Sequence, residues 1–458
     1  MRADAIVKNR SELTTSVLRR QALDILEAGI ASVLPAVVMR SSLTYDKAKR
    51  TLVVQRSSFD VSKGRLFVIG GGKASGLMVE SLEDILGPQS ITAGIVTVKD
   101  GTEEYHTKKV QIAPASHPVP DERGLKATKS MLDLKAELSI GEEDTIICLI
   151  SGGGSALLPC PVEEISLEEE QKTTGLLLAS GADIGEINSV RKHLSRTKGG
   201  RLGRYFAPAT VISLILSDVI GNDLSVIASG PTYPDSSTFA DALSVLEKYY
   251  LLSKLPSNVV SYLQSGVRGA LEDTVKSLDN CHNFIIGDNS LALDAMKHKA
   301  EKLGLRPCIV TSEQRGETGA AARLRADEIL REQYSNCDAI LIGGETTPTL
   351  PDGAGKGGRN QHYAAVSMIA LKGCSGAWVV ASVGTDGSDF LPDVAGAIVD
   401  NDSISMLAGR GVDPAAYVDK YDSYSLLKIL GNSLVVTGNT GTNVGDIIVY
   451  ILKKSQRS

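Results

Sequence analysis

Short apolar runs alternate along this chain with longer stretches in which apolar residues recur at helical spacing. The runs are rich in Val and Ile, and many end in glycine followed by a polar or charged residue. In chain order they are LFVIGGG, GIVTV, TIICLISGGG, VISLILSD, FIIGD, RPCIVTS, AILIGGE, WVVASVGTDG, LVVTGNTGTN and DIIVYIL. This alternation predicts an α/β protein with mostly parallel sheets, in which ligands bind at the carboxyl ends of the strands.

The strand-like runs fall into two sets. Helical periodicity over residues 12–40, interrupted by Pro35, precedes the first set, and residues 249–283 between the sets contain few such runs. This mixed region predicts one domain boundary. We therefore expect an N-terminal domain of residues 1–260 and a C-terminal domain of residues 261–458.

Composition and charge exclude several classes of partner. The 458 residues are 42% hydrophobic and 22% charged, with a net charge of −6 and an isoelectric point of about 5.7. We expect no nucleic-acid or membrane partner, and an anionic substrate would need a local positive charge. The six cysteines lack Cys-x-x-Cys spacing, and the chain shows no secretory signal. We therefore expect buried thiols, no structural metal and a cytoplasmic location.

Residues 146–158, IICLISGGGSALL, join a β-branched run to a loop with three glycines between two serines. Neither serine has the Gly-x-Ser-x-Gly flanks of a hydrolase nucleophile. Leu157 occupies the place of the third glycine in a dinucleotide fingerprint, and no lysine follows as in a P-loop. Two interpretations are left: a loop of backbone N–H groups that binds an anion, and a tight strand–helix crossing without a ligand.

Lys73 directly follows three glycines in VIGGGKASG, at the end of a predicted strand. A lysine is unfavourable beside the positive end of a helix dipole, so its position favours a bound anion. A point charge there suits a transferring phosphoryl group. The alternative is a surface lysine on the first turn of a helix.

Two further segments carry cations. In INSVRKHLSRTKGGRLGR (residues 187–204), Arg191, Ser195 and Lys198 share one face if the segment is helical. A solvated basic helix is the alternative. In GAGKGGRNQH, Arg359 offers a planar fork for phosphate or carboxylate.

Four aspartates, Asp218, Asp223, Asp386 and Asp389, lie near glycines at predicted strand ends. Carboxylates there can hold Mg²⁺, which takes one or two of them beside substrate phosphates. The commoner role of such an aspartate is an Asx-turn or a helix cap. We expect at least one of the four to contact metal or substrate. His117, between prolines in PASHPVPD, is interpreted as part of a rigid turn.

Nine segments recur along the chain in the order of one known family: IGGGKASG, ASHPVPDERG, LISGGGSALL, INSVRKHLSRTKGGRL, LILSDVIGNDLSVIASGPT, GGETT, GGRNQ, GTDGSD and TGNTGTNVGD. In these motifs, from about residue 15 to the end, the chain is similar to the glycerate 2-kinase family with a C-terminal MOFRL domain. Two positions depart from the family pattern: Phe390 stands where a glycine is usual, and His362 stands where a glutamate is typical. The departures bear on local contacts and substrate range and not on the fold.

The resemblance implies a Rossmann-like larger N-terminal domain, a smaller C-terminal MOFRL domain and an active site in the cleft between them. It implies transfer of the ATP γ-phosphoryl group to the 2-hydroxyl of D-glycerate, with Mg²⁺, to give 2-phosphoglycerate. It places the family's catalytic lysine and arginine on Lys73 and Arg359. The loop from Ser151 to Ser155 then holds phosphate.

The remaining site residues are assigned as hypotheses, with Arg191 chosen for the glycerate carboxylate from its charge alone. The substrate residues are Arg191, Ser151 and Asp386; the nucleotide residues are Gly152, Gly153, Gly154, Ser155 and Lys198; the metal residues are Asp218 and Asp223. D-Glycerate is then the small-molecule partner, and the sequence allows a homodimer.

Two other functions stay open. A nicotinamide-dependent hydroxypyruvate reductase would act on the same carbon skeleton, but no intact Gly-x-Gly-x-x-Gly follows a predicted strand. A non-catalytic phosphosugar-binding regulator would not need the paired Lys73 and Arg359 loops.

Overall fold

The computed structural model describes residues 5–101 and 104–453. They form two compact units. The central unit is Val38–Ile286, and the terminal unit combines the residues before Val38 with those from Gly287 onward. The division after Ile286 lies later than the 260/261 boundary expected from the sequence. The N-terminal helices also group with the C-terminal part of the chain, which the sequence pattern did not suggest.

Strands and helices are numbered along the chain. The strands are β1 (Leu43–Asp46), β2 (Thr51–Val54), β3 (Ser57–Asp60), β4 (Leu66–Gly71), β5 (Ile91–Lys99), β6 (Gln111–Ala115), β7 (Thr145–Ser151), β8 (Thr210–Leu216), β9 (Cys281–Gly287), β10 (Pro307–Gln314), β11 (Ala339–Gly344), β12 (Ala377–Gly384), β13 (Gly396–Asp400), β14 (Leu434–Val435) and β15 (Asp446–Lys453). The helices are α1 (Arg10–Leu13), α2 (Val17–Ser32), α3 (Pro35–Ser42), α4 (Ser75–Leu86), α5 (Glu122–Glu137), α6 (Gly154–Leu157), α7 (Leu167–Ala179), α8 (Ile184–His193), α9 (Arg201–Phe206), α10 (Phe239–Lys248), α11 (Ser257–Val267), α12 (Asn289–Lys302), α13 (Thr318–Leu330), α14 (Arg359–Ala370), α15 (Asn401–Gly409), α16 (Pro414–Val418) and α17 (Ser423–Leu430).

The central unit contains a six-stranded sheet in the order β6-β5-β4-β7-β8-β9. The pairs from β6 to β8 are parallel, and β4 and β7 are buried along their whole length. Renumbered from β4, the order is 3-2-1-4-5-6, that of a Rossmann fold, whose ligands bind where the strand order reverses. That point lies between the carboxyl ends of β4 and β7. The predicted α/β class with a Rossmann-like domain is confirmed.

The terminal unit contains a second six-stranded sheet, in the order β10-β11-β15-β12-β13-β14. Strands β10 and β11 are parallel, whereas the other neighbouring pairs are antiparallel, with β15 inserted between β11 and β12. Mostly parallel pairing therefore holds for the central sheet and not for this one. The reason is that a strand buried on both faces is uniformly apolar whichever way its neighbours run, so DIIVYIL does not reveal its direction.

Helix α2 explains why the N-terminal segment belongs to the terminal unit. A Cβ added at Gly29 would lie 2.8 Å from Met296 Cγ of α12 and 3.1 Å from Ile447 Cδ1 of β15. On the same helix, buried Arg19 donates to Asp400 Oδ2 at 2.5 Å. Helical periodicity predicts an apolar face, but not the element that covers it.

Within the described residues no single helix is long and apolar enough to cross a membrane. Only α2 and α3 taken together, across a 56° bend, reach the length and apolar composition of a membrane span.

Candidate active site

Two glycine-rich loops meet at the switch point of the central sheet. The backbone N–H of Lys73, after β4, donates to the Gly152 carbonyl after β7 (2.9 Å), and that of Ala74 donates to Ser151 Oγ (3.0 Å). A Cβ at Gly72 would lie 2.1 Å from Ser151 Oγ, so this close approach requires glycine. The Ser151 hydroxyl therefore holds the two loops together, a role that the sequence did not reveal.

Three chemically active side chains surround the second loop. A Cβ at Gly152 would lie 1.9 Å from Asp218 Oδ2. Gly153 has a left-handed φ of 85°, and a Cβ there would lie 3.0 Å from His117 Nε2 and 3.3 Å from Lys73 Cγ. The structure thus brings together the predicted Lys73 and Asp218 with a histidine that the sequence had assigned to a turn.

His117 lies in a positively charged part of this site. Burial, with repulsion from Lys73 and Lys99, lowers its pKa to about 4. The imidazole is therefore neutral near pH 7 and can donate or accept a hydrogen bond without adding charge. Lys99 ends β5, and His117 follows β6. Neither position has a local sequence signal, because only the parallel order of the strands brings their carboxyl ends together.

The residues around helix α8 add a second group of charges. Lys198 is buried, and its Nζ lies 3.6 Å from Glu170 Oε1 and 3.4 Å from the Leu158 carbonyl oxygen. Burial lowers the pKa of Lys198, Glu170 opposes this effect, and Arg191 adds to it. Burial likewise lowers the pKa of Arg191, again against Glu170. Two cations therefore share one buried carboxylate, which leaves local positive charge for an anion.

The expected helical face from Arg191 to Lys198 does not form as such. Helix α8 ends at His193, and Ser195 Oγ accepts from the backbone N–H of Thr197 at 3.2 Å. A serine that bonds the nearby backbone competes with helix propagation. Lys198 consequently comes near Arg191 through a folded loop and not through a shared helical face.

A chain of hydroxyl groups links the second glycine loop to α8. Ser155 Oγ and Ser229 Oγ are 2.8 Å apart, and Ser229 Oγ donates to Asn188 Oδ1 at 2.9 Å. Ala228 and Ser229 both have left-handed φ values, 51° and 61°. Each such non-glycine residue costs about 1–2 kcal/mol, and strain of this kind concentrates at functional sites. Asn188 and Ser229 were missed from the sequence, although both lie inside quoted motifs.

The two aspartates assigned to a metal differ in their surroundings. Asp218 adjoins the glycine loop, whereas Asp223 Oδ1 accepts from the backbone N–H of Ser225 (2.8 Å) in its own turn. In the part of the chain that is described, no three His, Cys, Asp or Glu side chains form a metal-binding group. Mg²⁺ that arrives with a nucleotide needs only one or two carboxylates beside the phosphates, so Asp218 fits that cation better than Asp223 does.

Arg359 begins α14 in the terminal unit and is held by carboxylates. Its Nε and Nη2 donate to the two oxygens of Asp446 at 2.6 and 3.0 Å, and its Nη1 lies 3.0 Å from Glu345 Oε1. Burial alone would lower the pKa of Arg359, but the Asp446 and Glu345 carboxylates raise it above its ordinary value. Its planar fork is therefore fixed in orientation and permanently charged.

Asp389 binds the first turn of α14, and Asp386 lies in the turn that follows β12. Asp389 accepts from the backbone N–H groups of Asn360 (3.0 Å) and Gln361 (2.8 Å), and burial raises its pKa to about 6 against these donors. Asp386 Oδ1 accepts from the backbone N–H of Ser388 at 3.0 Å, which is an Asx-type contact. Asp386 thus has a partner in its own turn, whereas Asp389 caps the first backbone N–H groups of a distant helix.

The two departures from the family motifs have local explanations. Phe390 has a φ of 64° and an 81% exposed side chain, which explains why glycine is usual at this position. His362 is buried and stacks on Tyr421 with ring centroids 4.1 Å apart, and its Nδ1 lies 3.1 Å from Ser423 Oγ. Burial lowers the pKa of His362 to about 4, against the pull of Glu317.

Known proteins match this chain along almost its whole length. Residues 21–264 match a family model described as a domain of unknown function (DUF4147), and residues 338–446 match the MOFRL family model. The chain is 39% identical to D-glycerate 2-kinase of Thermotoga maritima, over 95% of this chain and 98% of that protein. It is 38% identical to a putative hydroxypyruvate reductase of Agrobacterium vitis, over 95% and 94%. The crystal structure of glycerate kinase from Thermotoga maritima superposes with a TM-score of 0.82 at 38% identity, covering 95% of this chain and 99% of that one.

Proposed function

This chain belongs to the glycerate 2-kinase family with a C-terminal MOFRL domain, and on that premise we propose that it transfers the ATP γ-phosphoryl group to the 2-hydroxyl of D-glycerate. The product is 2-phosphoglycerate. The observation that carries the proposal is the pair of interlocked glycine loops at the switch point of the central sheet, with Lys73 and Lys99 beside them. Phosphoryl transfer depends mainly on positioning and on stabilisation of charge, which backbone N–H groups and fixed cations supply.

The second glycine loop is the proposed nucleotide site. The backbone N–H groups of Gly152, Gly153, Gly154 and Ser155 would hold phosphate oxygens at the carboxyl end of β7, because the Ser155 hydroxyl already donates to Ser229. Lys73 would neutralise the transferring group as a point charge. When bound, Mg²⁺ would supply further neutralisation of the phosphates, and Asp218, which adjoins Gly152, would hold it.

The charges around α8 are the proposed acceptor site. Arg191 would bind the glycerate carboxylate. Lys198, which was assigned to the nucleotide from the sequence, is buried beside Glu170 near Arg191, and we propose that it acts here instead by keeping the surroundings positive. His117 stays neutral near pH 7, so its Nε2 would donate or accept a hydrogen bond near Lys73 without adding charge.

Arg359 is the proposed second catalytic cation, carried over from the family motif. Asp446 would act as a positioning residue that orients the guanidinium fork, because it engages two of its nitrogen atoms. Asp386 is proposed to contact the substrate, as assigned from the sequence.

The test is product analysis with the purified chain, ATP, Mg²⁺ and D-glycerate. We expect ATP-dependent formation of a phosphoglycerate whose ³¹P–¹³C couplings place the phosphate on carbon 2. Phosphate on carbon 3, or no transfer, would contradict the proposal. A parallel reaction with hydroxypyruvate and NADH or NADPH addresses the reductase name carried by a relative, and nicotinamide oxidation there would favour that second function.

A further inference from the structure

Asn188 has an unusual hydrogen-bonding state for a buried amide. The residue is 2% exposed on α8, and its Oδ1 accepts from Ser229 Oγ. Its Nδ2 is buried without a hydrogen-bond partner among the residues that the structure describes. Buried polar groups almost always have a partner, so an unsatisfied donor of this kind points to a bound ligand or water.

The surroundings of Asn188 indicate which ligand. Ser229, to which Asn188 is bound, has a strained left-handed φ and contacts Ser155 of the second glycine loop. Arg191 follows Asn188 by three positions on the same helical face. Glu170 acts on the charge of Arg191, and its Oε2 is likewise buried without a partner in the described part of the chain. An amide donor three positions from a partly buried guanidinium suits the oxygens of a carboxylate.

We propose that Asn188 is a substrate-binding residue whose Nδ2 donates a hydrogen bond to a carboxylate oxygen of the bound hydroxy acid, next to Arg191. This inference rests on the proposed function, which supplies the hydroxy acid. Ser229 then acts as a positioning residue, since its hydroxyl holds Oδ1 and turns Nδ2 away from the hydroxyl chain. The strained backbone at Ser229 is what places that hydroxyl between Ser155 and Asn188.

The test is Asn188→Asp, which is isosteric and still accepts from Ser229. It replaces the donor by an acceptor with negative charge, so it should raise the KM for D-glycerate by on the order of 10- to 100-fold, the range for losing a hydrogen bond to a charged group. The KM for ATP should stay within about twofold, because uniform loss of binding to one substrate leaves the other unaffected. The thermal shift produced by D-glycerate alone should disappear.

The matched control is Asn283→Asp in the same unit. Asn283 accepts from Thr232 Oγ1 (2.7 Å) and donates to the Thr232 carbonyl (2.9 Å), so both ends of its amide are used inside the protein. This variant should lose thermal stability and keep its KM for D-glycerate, which is the opposite of the pattern expected at Asn188.

The outcomes distinguish a failure of the Asn188 inference from a failure of the proposed function. If Asn188→Asp melts like the wild type and keeps its KM and its glycerate shift, the unpaired donor faces only water and the inference is wrong. If it melts early with an unchanged KM, Asn188 is structural and the inference is wrong as well. If the wild type binds D-glycerate without phosphorylating it, the proposed function fails, while the binding comparison still decides Asn188. If the wild type does neither, both are overturned.

Discussion

Removing the Arg359 side chain should destabilise the terminal unit as well as impair turnover. Arg359 is 30% exposed, but its partner Asp446 is only 5% exposed. In Arg359→Ala, Asp446 keeps the Asn360 amide as a donor at 2.9 Å, close to the buried Asp389, and loses its counter-charge. An uncompensated buried charge costs about 3–5 kcal/mol, and the partial exposure of Arg359 favours the lower end, about 3 kcal/mol.

The loss can be measured by calorimetry of the intact chain. For a unit of roughly 150–250 residues, about 3 kcal/mol corresponds to a melting temperature lowered by about 6–12 °C. The double variant Arg359→Ala/Asp446→Asn should recover at least half of this loss, because an amide leaves no unpaired charge. As a control, Arg331→Ala removes an exposed ion pair with Asp327 and should shift melting by no more than about 2 °C.

Two results would refute this reasoning. If Arg359→Ala melts within about 2 °C of the wild type, the Asp446 carboxylate is not a buried charge that needs Arg359. If the double variant is no more stable than the single one, the loss comes from packing and not from the unpaired carboxylate.

Three further predictions concern individual site residues. Lys73→Ala should lower kcat by on the order of 100-fold with little change in melting, and Lys172→Ala on the exposed face of α7 should leave steady-state kinetics unchanged. Gly153→Ala, which puts a side chain at φ 85°, should cost about 1–2 kcal/mol and raise the KM for ATP, whereas Gly141→Ala, with open space around it, should do neither in the same melting and kinetic assays. The pKa of Asp389 is raised to about 6, so the stability that it contributes is present at low pH and is lost as the pH rises through 6. Relative to Asp389→Asn, the wild type should therefore lose about 2 kcal/mol of unfolding free energy between pH 4 and 7. A difference that stays constant over this range in denaturant titrations would contradict the assignment.

The central sheet was predictable because its signal is local. Each buried parallel strand is a continuous apolar run, and each run that ends in glycine marks a loop at the same edge. This is why Lys73, Gly152 and Asp218 could be named from sequence and are found together. The strands of the terminal sheet show the same apolar runs, but most of them pair antiparallel. Their direction depends on which strands become neighbours in the sheet, and this is not encoded locally. Strand β15, at the end of the chain, pairs antiparallel with both β11 and β12.

The residues that the sequence did not single out share a different property. His117 becomes chemically interesting only through burial beside Lys73 and Lys99, and Asn188 only through a contact with Ser229, which lies 41 positions away. Histidine and asparagine in a polar stretch have many ordinary roles, so composition cannot distinguish these. What distinguishes them is a violated local rule: a buried donor without a partner at Asn188, and a left-handed non-glycine residue at Ser229. Such violations persist only where the surrounding fold overdetermines them, which is why they point to the proposed acceptor site more sharply than its charges do.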